Sequence, residues 1–351
     1  MASEAADNWL EDCLHRLRNV RVCVFGDFCV DAYWLIDPDE SELSVETGLS
    51  LRRVREQRYS VGGAANVAAN VAALGVAETR AVSLIGEDMF GGVILGLLAR
   101  EGVNTEGLIR REGDWQTMVF GKPCVGDVEQ NRIDFGGFNV VTPDMADALI
   151  AELELAAREC DLIILNQQVP AGVSPPEVIE RINAVVASHP ECRFIVDSRD
   201  RAGQYRGAML KLNAHEAVRL CGEARTLDEA VPRDEVLQYA GRLRDLAGRA
   251  VFITRGEVGI VVADEGGVHE VPGIQVVEVI DAVGAGDTVV AAIGAALASG
   301  ADAVTAGRLA NIAASVTIRK LKVTGTASPE EISGVGPEPD YIFLPDLADS
   351  P

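Results

Sequence analysis

The chain has 351 residues, enough for one large α/β domain or two smaller ones. Hydrophobic residues make up 48% of it, so a substantial core can form, and its formal net charge of −23 argues against binding to nucleic acid or to an anionic membrane surface. No Cys-x-x-Cys pair, signal peptide or apolar run of the roughly 18 residues that span a membrane occurs, so we expect a reduced, cytoplasmic protein without a zinc site.

Short apolar runs alternate with helical patterns along most of the chain. The runs indicate buried strands at 21–25, 81–85, 162–165, 194–196, 209–212 and 251–254. The helical patterns lie at 6–18, 63–74, 89–101, 142–159, 175–188, 233–247, 287–299 and 302–319. This alternation predicts a mostly parallel sheet with helices on both faces. Ligands of such sheets bind beyond the carboxyl ends of the strands, where this chain has Asp27, Asn166, Asp197, Asn213 and Thr254.

Two stretches, 32–60 and 115–140, lack a helical period and contain short β-like pieces. They predict a small second sheet, which would lie over an active site as a lid. The alternative is two ordinary long loops, although loops of this length are uncommon in compact domains. The acidic tail after about 335 is expected to be loose, so residues 1–335 would form a single domain.

The sharpest chemical signal is Asp-Ala-Val-Gly-Ala-Gly-Asp at 281–287, followed by an alanine-rich helix. The glycines allow a tight turn with backbone N–H groups facing one concavity, and the positive end of the helix lies at the same point. Phosphate, or charge that develops during phosphoryl transfer, would be stabilised there. Asp287 is placed to take a proton from an attacking hydroxyl, a role that typically contributes about 10²–10⁴-fold. The alternative is that Asp287 only caps the helix.

Three weaker features accompany this motif. Gly62-Gly63 opens an alanine-rich helix in which Asn66 and Asn70, four residues apart, share one face and could bond ligand hydroxyls. Gly26-Asp27 follows the first strand, with Asp31 four residues on, and a carboxylate there could hold vicinal sugar hydroxyls or simply serve a turn. Asn213 and Glu216, on one helical turn, could orient magnesium-bound water or form a helix cap.

Several well-known motifs are absent from the sequence. It contains neither a Gly-x-x-x-x-Gly-Lys-Ser/Thr loop nor a Gly-x-Gly-x-x-Gly dinucleotide fingerprint. It also lacks a Gly-x-Ser-x-Gly elbow, and its four histidines are scattered. These absences disfavour a P-loop enzyme, a Rossmann dehydrogenase, a serine hydrolase and a histidine metal cluster.

Taken in order, the motifs resemble those of the ribokinase-like (PfkB) carbohydrate kinases, from about residue 20 to 330. The likeness rests on residues 281–287, on Gly62, Gly63 and Asn66, on the Asn-x-x-Glu pair Asn213 and Glu216, and on Thr254 and Gly256 of a Thr-x-Gly strand end. Asn311 and Gly325 match positions that line and close the adenine pocket in that family.

The resemblance implies a Rossmann-like α/β fold with a small β lid and an ATP-dependent kinase of a sugar or sugar phosphate. It implies Asp287 as the general base and the amides of Gly284, Ala285 and Gly286 as an anion hole. It also implies Mg²⁺ organised by Asn213 and indirectly by Glu216, and substrate hydroxyls held by Asp27, Asp31, Gly62, Gly63 and Asn66. Potassium at Asp281 and a homodimer formed through the lid are further expectations of this kind.

Within the family, the sequence is most similar to heptose-7-phosphate kinases. The likeness lies in Gly-Asp-x-x-x-Asp-x-Tyr-Trp at 26–34 and in Gln-x-Arg-Ile-Asp-Phe at 130–135, which implies that Arg132 is a substrate residue. Where a stretch similar to Asp-Tyr-x-Lys-Gly would be expected, this chain has Asn-Gln-Gln at 166–168.

A basic cluster in the expected lid bears on the substrate. Arg52, Arg53, Arg55 and Arg58 could neutralise a phosphate that the substrate already carries, or they could be solvated or lie at a dimer contact. A nucleoside kinase of the same fold and a non-catalytic sugar-sensing protein remain alternatives to a carbohydrate kinase.

Overall fold

The computed structural model describes residues 9–38, 42–126, 128–226, 228–321 and 324–342. The strands are β1 (Arg21–Gly26), β2 (Phe28–Ile36), β3 (Val54–Gly63), β4 (Glu78–Gly86), β5 (Asn104–Arg111), β6 (Met118–Val125), β7 (Val128–Glu129), β8 (Ile133–Phe135), β9 (Leu162–Gln167), β10 (Arg193–Ser198), β11 (Met209–Asn213), β12 (Val251–Thr254), β13 (Gly259–Asp264) and β14 (Gly267–Pro272). The helices are α1 (Trp9–Leu17), α2 (Ala64–Ala73), α3 (Met89–Arg100), α4 (Pro143–Glu159), α5 (Pro176–Ser188), α6 (Ala214–Leu220), α7 (Arg233–Ala247), α8 (Ala285–Ala298), α9 (Ala303–Thr317) and α10 (Pro329–Val335).

The main sheet has nine strands in the order β14-β13-β12-β11-β10-β9-β1-β4-β5. The seven strands from β12 to β5 are parallel, and β13 and β14 complete the sheet as an antiparallel hairpin. Strands such as β9 are buried along their whole length, as expected for a parallel sheet covered on both faces. The predicted mostly parallel α/β sheet is confirmed.

Two hydrophobic clusters occupy the two faces of this sheet. One contains buried side chains of α1, α2, α8 and α9, and the other contains those of α4, α5, α6 and α7. The abundant alanines of α2, α8 and α9 allow these helices to pack closely side by side and against the sheet. This close packing brings the start of α2 next to the start of α8.

A second, five-stranded sheet is built from β2, β3, β6, β7 and β8, with β2 between β3 and β6. The small second sheet expected from the sequence is present, but it begins earlier than residue 32. Only Asp27 separates β1 from β2, and β2 begins with three buried residues, Phe28, Cys29 and Val30. The second sheet is therefore attached to the carboxyl end of β1, where a ligand of the main sheet would bind.

Part of the segment after 335 forms backbone hydrogen bonds with the main domain. Ile342 N donates to Gly273 O at 2.8 Å, and Gln275 N donates to Asp340 O at 2.8 Å. The first part of the expected loose tail thus pairs with the connection from β14 to α8, while 343–351 lie outside the described residues. Within those described, no helix is both long and apolar enough to cross a membrane.

Candidate active site

The strongest candidate site lies where the carboxyl ends of β1, β9, β10 and β11 meet the starts of α2 and α8. The heptapeptide found in the sequence forms the turn into α8, with Gly284 as its N-cap in the left-handed conformation (φ 81°, ψ −1°). Asp287 is therefore the third residue of the helix. The alternative that Asp287 merely caps α8 is wrong, because Gly284 occupies that position.

Asp287 is held by a side chain from α2. Asn66 Nδ2 donates to Asp287 Oδ2 at 2.7 Å, and Asn70 Nδ2 donates to Asn66 Oδ1 at 3.3 Å. Thr288 Oγ1 in turn donates to Asn70 Oδ1 at 2.8 Å. This chain of bonds fixes the amide of Asn66 so that its donor faces the carboxylate.

The environment of Asp287 suits a group that gains and loses a proton near neutral pH. Burial raises the pKa of its carboxyl to about 7, the hydrogen bond from Asn66 opposes that rise, and the nearby charge of Asp197 adds to it. Part of the residue still reaches solvent, so a substrate can approach it. These are the properties of a general base.

One of the amides expected to face an anion at the start of α8 is already engaged. Ala285 N donates to Ala282 O at 3.1 Å, so this amide is already used within the turn. The N–H groups of Gly286 and Asp287 have no acceptor among the residues that the structure describes, as is usual for the first turn of a helix. Of the expected anion hole of Gly284, Ala285 and Gly286, only the Ala285 amide is thus engaged within the turn, and the anion hole stays a prediction.

Asp27 does not have the role that the sequence suggested. Its carboxylate is completely buried and accepts hydrogen bonds from the backbone N–H groups of Gln168 (2.7 Å), Val169 (2.8 Å) and Val173 (2.9 Å). A Cβ on Gly172 would lie 2.1 Å from Asp27 Oδ1, so the loop closes tightly around the carboxylate. The prediction that Asp27 holds sugar hydroxyls is therefore wrong in this structure, since the carboxylate fastens a loop instead.

Asp31, four residues later on β2, is the acidic residue that faces the site. Its carboxylate lies 3.2 Å from Lys122 Nζ and 3.2 Å from where a Cβ on Gly62 would be. Its charge is also one of those that raise the pKa of Asp287. Gly63 (φ 54°) lies between the two sheets, where a Cβ would come within 2.6 Å of the carbonyl oxygen of Asp27. The Gly-Gly pair thus permits a close approach of the backbones beside Asp31.

Two cations lie on the same face of the second sheet as Asp31. Tyr33 is two residues from Asp31 on β2 and pairs with Lys122, whose Nζ lies 3.1 Å from the Tyr33 hydroxyl and 4.7 Å from its ring centroid. Arg132 lies 4.5 Å over the ring of Phe120 and donates twice to Asp134, both at 2.7 Å. Sequence analysis identified Arg132 but missed Lys122.

Asn213 and Glu216 form a reciprocal helix cap at the start of α6. Glu216 N donates to Asn213 Oδ1 at 2.8 Å, and Asn213 N donates to Glu216 Oε2 at 2.7 Å. Burial raises the pKa of Glu216, and the backbone N–H of Asn213 and the charge of Lys211 oppose the rise. The cap leaves Glu216 Oε1 available, so a structural and a ligand role are compatible here.

Sequence analysis missed a buried ion pair between neighbouring strands β10 and β11. Lys211 Nζ lies 3.2 Å from Asp197 Oδ1, and both side chains are 7% exposed. Asn166, at the end of β9, donates through Nδ2 to Asp197 Oδ2 at 3.4 Å, while its buried Oδ1 has no partner in the described part of the chain. Asn166 and Asp197 were noted only as polar residues that follow strands, and the lysine precedes its strand end by two residues.

The residues expected around a nucleotide lie at the end of β12, just after it, and on α9. Thr254 Oγ1 donates to Leu212 O at 3.3 Å, and no atom lies within 4 Å of a Cβ built on Gly256. Asn311 donates both amide hydrogens to β14, to Val271 O at 3.2 Å and Pro272 O at 2.8 Å. Only its carbonyl oxygen is thus left for a ligand.

Two more predicted residues lie in loops near the end of α9. Gly325 lies in the loop that follows α9, and Asp281 lies in the turn that precedes α8. Gly325 is buried against Thr317 and Lys320. Asp281 accepts from Val283 N at 3.1 Å, and its own N–H donates to Ile318 O at 2.7 Å. The structure thus links the first aspartate of the heptapeptide to the end of α9.

The arginine cluster of the second sheet is largely engaged in ion pairs with neighbouring carboxylates. Arg53 pairs with Glu42, Arg55 with Asp37, and Arg58 with Glu56. Each of these three arginines thus has a carboxylate beside it, as Lys122 and Arg132 also have, and exposed pairs of this kind are weak. Lys122 and Arg132 are better placed to neutralise a substrate phosphate, because they share the face of Asp31.

Comparisons with known proteins identify the family of the chain. The profile of the pfkB family carbohydrate kinases matches residues 20–331. The D-beta-D-heptose 7-phosphate kinase of Bordetella bronchiseptica is 30% identical over 324 residues, covering 91% of this chain and 97% of that protein. The bifunctional protein HldE of Halorhodospira halophila is 33% identical over 92% of this chain. The chain spans only 65%, 64% and 61% of three such HldE proteins.

Solved structures share the fold at low sequence identity. Phosphofructokinase-2 from Escherichia coli superposes with a TM-score of 0.69 at 21% identity, covering 90% of this chain and 98% of that one. Ribokinase from Arabidopsis thaliana, solved with ribose and ATP, gives 0.67 at 20% identity with the same two coverages. At this identity these neighbours bear on the fold alone.

Proposed function

The chain belongs to the pfkB family of carbohydrate kinases, and we propose that it transfers the γ-phosphoryl group of ATP to a hydroxyl of a sugar phosphate with Asp287 as the general base. The observation that carries this proposal is the pairing of Asp287 with Asn66 beside the unpaired amides that begin α8. A base with a pKa near 7 and an anion site lie at one point of the fold.

The transfer would proceed by in-line displacement. The acceptor hydroxyl gives its proton to Asp287 as its oxygen forms a bond to the γ-phosphorus. The bond from that phosphorus to the β,γ-bridging oxygen breaks, and its electron pair leaves with ADP. The N–H groups of Gly286 and Asp287 would stabilise the charge on the transferring group, and the second sheet would exclude water from it.

The donors near β9, β10 and α6 fit a magnesium ion. The orphaned Asn166 Oδ1 and the available oxygen of Glu216 are hard ligands of the kind Mg²⁺ prefers, either directly or through water. When bound with ATP, Mg²⁺ would neutralise phosphate charge. Potassium at Asp281 stays a prediction, and so does pairing of two copies through the second sheet.

The charges on the second sheet favour an anionic sugar. Lys122 and Arg132 lie beside Asp31, and Arg132 Nη1 has no acceptor in the described part of the chain. A phosphate carried by the sugar can bind there while Asp31 and Gly62 hold its hydroxyls. A heptose 7-phosphate is the first substrate to test, because a relative of nearly matching length is named as its kinase.

The positions of Lys122 and Arg132 also disfavour a nucleoside as the acceptor. A nucleoside kinase needs an aromatic face on which the base can stack. The rings of Tyr33 and Phe120, which are the aromatic side chains nearest Asp31 on that face, are already covered by Lys122 and Arg132.

The test is ADP release from Mg-ATP with heptose 7-phosphate, fructose 6-phosphate, ribose and adenosine, each corrected for release without acceptor. We expect turnover with a sugar phosphate to exceed that with ribose or adenosine by at least about tenfold, as one charge-assisted contact provides. Preference for adenosine would replace this proposal by a nucleoside kinase. ATP binding without turnover on any sugar or sugar phosphate would favour a sensing role.

A further inference from the structure

The ammonium group of Lys211 lies directly beneath the anion site of α8. Its Nζ is 3.2 Å from the position that a Cβ on Gly286 would occupy. The amide hydrogen of Gly286 is also without an acceptor among the described residues. The space that a side chain at Gly286 would fill therefore lies between the ammonium and that amide.

The hydrogen bonds of Lys211 are incomplete although its side chain is buried. The ammonium has three donors, and among the described residues its one acceptor is Asp197 Oδ1 at 3.2 Å. Buried donors in native structures nearly always have acceptors, and an unmet charged donor is costly. Two ammonium hydrogens thus remain for a ligand on the side of α8.

The charge balance around Lys211 points to the same conclusion. Burial alone would lower the pKa of this lysine, but the carboxylates of Asp197, Glu216 and Asp287 outweigh burial and raise it, so it stays charged. The charges that act on Asp287 are those of Asp197, Lys211 and Asp31, so without Lys211 they would all be negative. A fixed cation is what such a site needs.

We propose that Lys211 binds an oxygen of the transferring γ-phosphoryl group and that Asp197 holds the ammonium in place for this contact. This inference rests on the proposed function, since it assumes that ATP is the donor. It adds a residue that belongs to none of the motifs by which the site was found. Lysine suits the task because its ammonium is a compact charge that can share donors between a carboxylate and a phosphate.

The test is calorimetric binding of Mg-ADP and of a Mg-bound, non-hydrolysable ATP analogue with an intact γ-phosphate. The proteins are the wild type, Lys211→Met and Lys211→Met/Asp197→Asn. The double variant also removes the carboxylate that forms the ion pair with Lys211, so it serves even if the single variant fails to fold. Lys122→Met is the matched control, because it removes a largely buried lysine from the second sheet instead.

We expect loss of Lys211 to weaken binding of the ATP analogue about 10- to 100-fold, the range of one charge-assisted hydrogen bond, and to change ADP binding by less than about threefold. Lys122→Met should leave the ratio of the two affinities unchanged. An unchanged ratio in the folded double variant would overturn the inference. Failure of the wild type to bind either nucleotide would instead overturn the proposed use of ATP.

Discussion

The 2.7 Å hydrogen bond from Asn66 Nδ2 to Asp287 Oδ2 joins the two glycine-rich helix starts of the fold across 221 residues of sequence. It orients the carboxylate and stabilises its charged form. Because Asn70 donates to Asn66 Oδ1, the amide of Asn66 cannot turn over without losing a bond. The start of α2 therefore takes part in setting the properties of the proposed base on α8.

This bond predicts a specific pH dependence. Asp287 must be ionised to act as a base, and its pKa is about 7, so kcat/KM should fall as the pH drops through 7. Asn66→Ala removes a contact that lowers this pKa, so the acidic limb of the profile should move to higher pH. The profile of kcat/KM against pH, measured from 5.5 to 9, checks both points. A wild-type profile that stays flat down to pH 5.5 would contradict the assignment.

Stability should depend on pH through the same carboxyl. The folded pKa of Asp287 is about 7 and the unfolded value is about 4, so folding takes up a proton between these values and stability falls as the pH rises. Asp287→Asn removes this titration. The variant should gain roughly a few °C in Tm relative to the wild type at pH 8, and much less at pH 4.5. An equal difference in Tm at both pH values would show that burial of the charge is not the cause.

Asp27 should matter for stability rather than for substrate binding. Asp27→Ala leaves one buried and two partly buried backbone N–H groups without an acceptor, which we expect to cost roughly 3 kcal/mol of unfolding free energy. Urea unfolding measures this cost. Asp31→Asn is the control: it should raise the KM of the sugar with a much smaller loss of stability. A raised KM in Asp27→Ala with little loss of stability, and an unchanged KM in Asp31→Asn, would restore Asp27 as the substrate residue.

The contrast between Lys122 and Arg55 tests where a substrate phosphate binds. Lys122→Met should raise the KM of a sugar phosphate about tenfold, as loss of one charge-assisted contact predicts. Arg55 is paired with Asp37 at 2.7 Å and is exposed, so Arg55→Met should change that KM less than about twofold. Steady-state kinetics with the nucleotide held constant provide the comparison. A larger effect at Arg55 would return the phosphate site to the arginine cluster.

Sequence reasoning succeeded where the signal was local. The run 162–165 and the helix 142–159 have periods that identify them, and the heptapeptide carries its turn chemistry within seven residues. The hairpin of β13 and β14 was missed because β14 is largely exposed and has no clear apolar pattern. The start of the second sheet was placed too late because Gly26-Asp27 has the appearance of a loop in sequence, whereas β2 begins directly after Asp27.

In the candidate site, too, prediction failed where a role depends on residues that are distant in sequence. A carboxylate after a strand has the same appearance in sequence whether it binds a ligand or a loop. Asp27 was misassigned because the N–H groups that donate to it lie on a loop more than 140 residues away. Lys211 and Lys122 were missed because their roles arise from pairing across strands. Spatial contacts of this kind have no signature in a single sequence.

The central claim is that Asp287 takes the proton of the acceptor hydroxyl, and the most direct test compares the wild type with Asp287→Asn. Phosphoryl transfer from Mg-ATP to the best sugar phosphate would be measured in a single turnover, alongside the affinities for both ligands. The account predicts a rate lower by about 10²–10⁴-fold with both affinities within a few-fold of the wild type. A variant that binds both ligands and transfers phosphate within tenfold of the wild-type rate would contradict it.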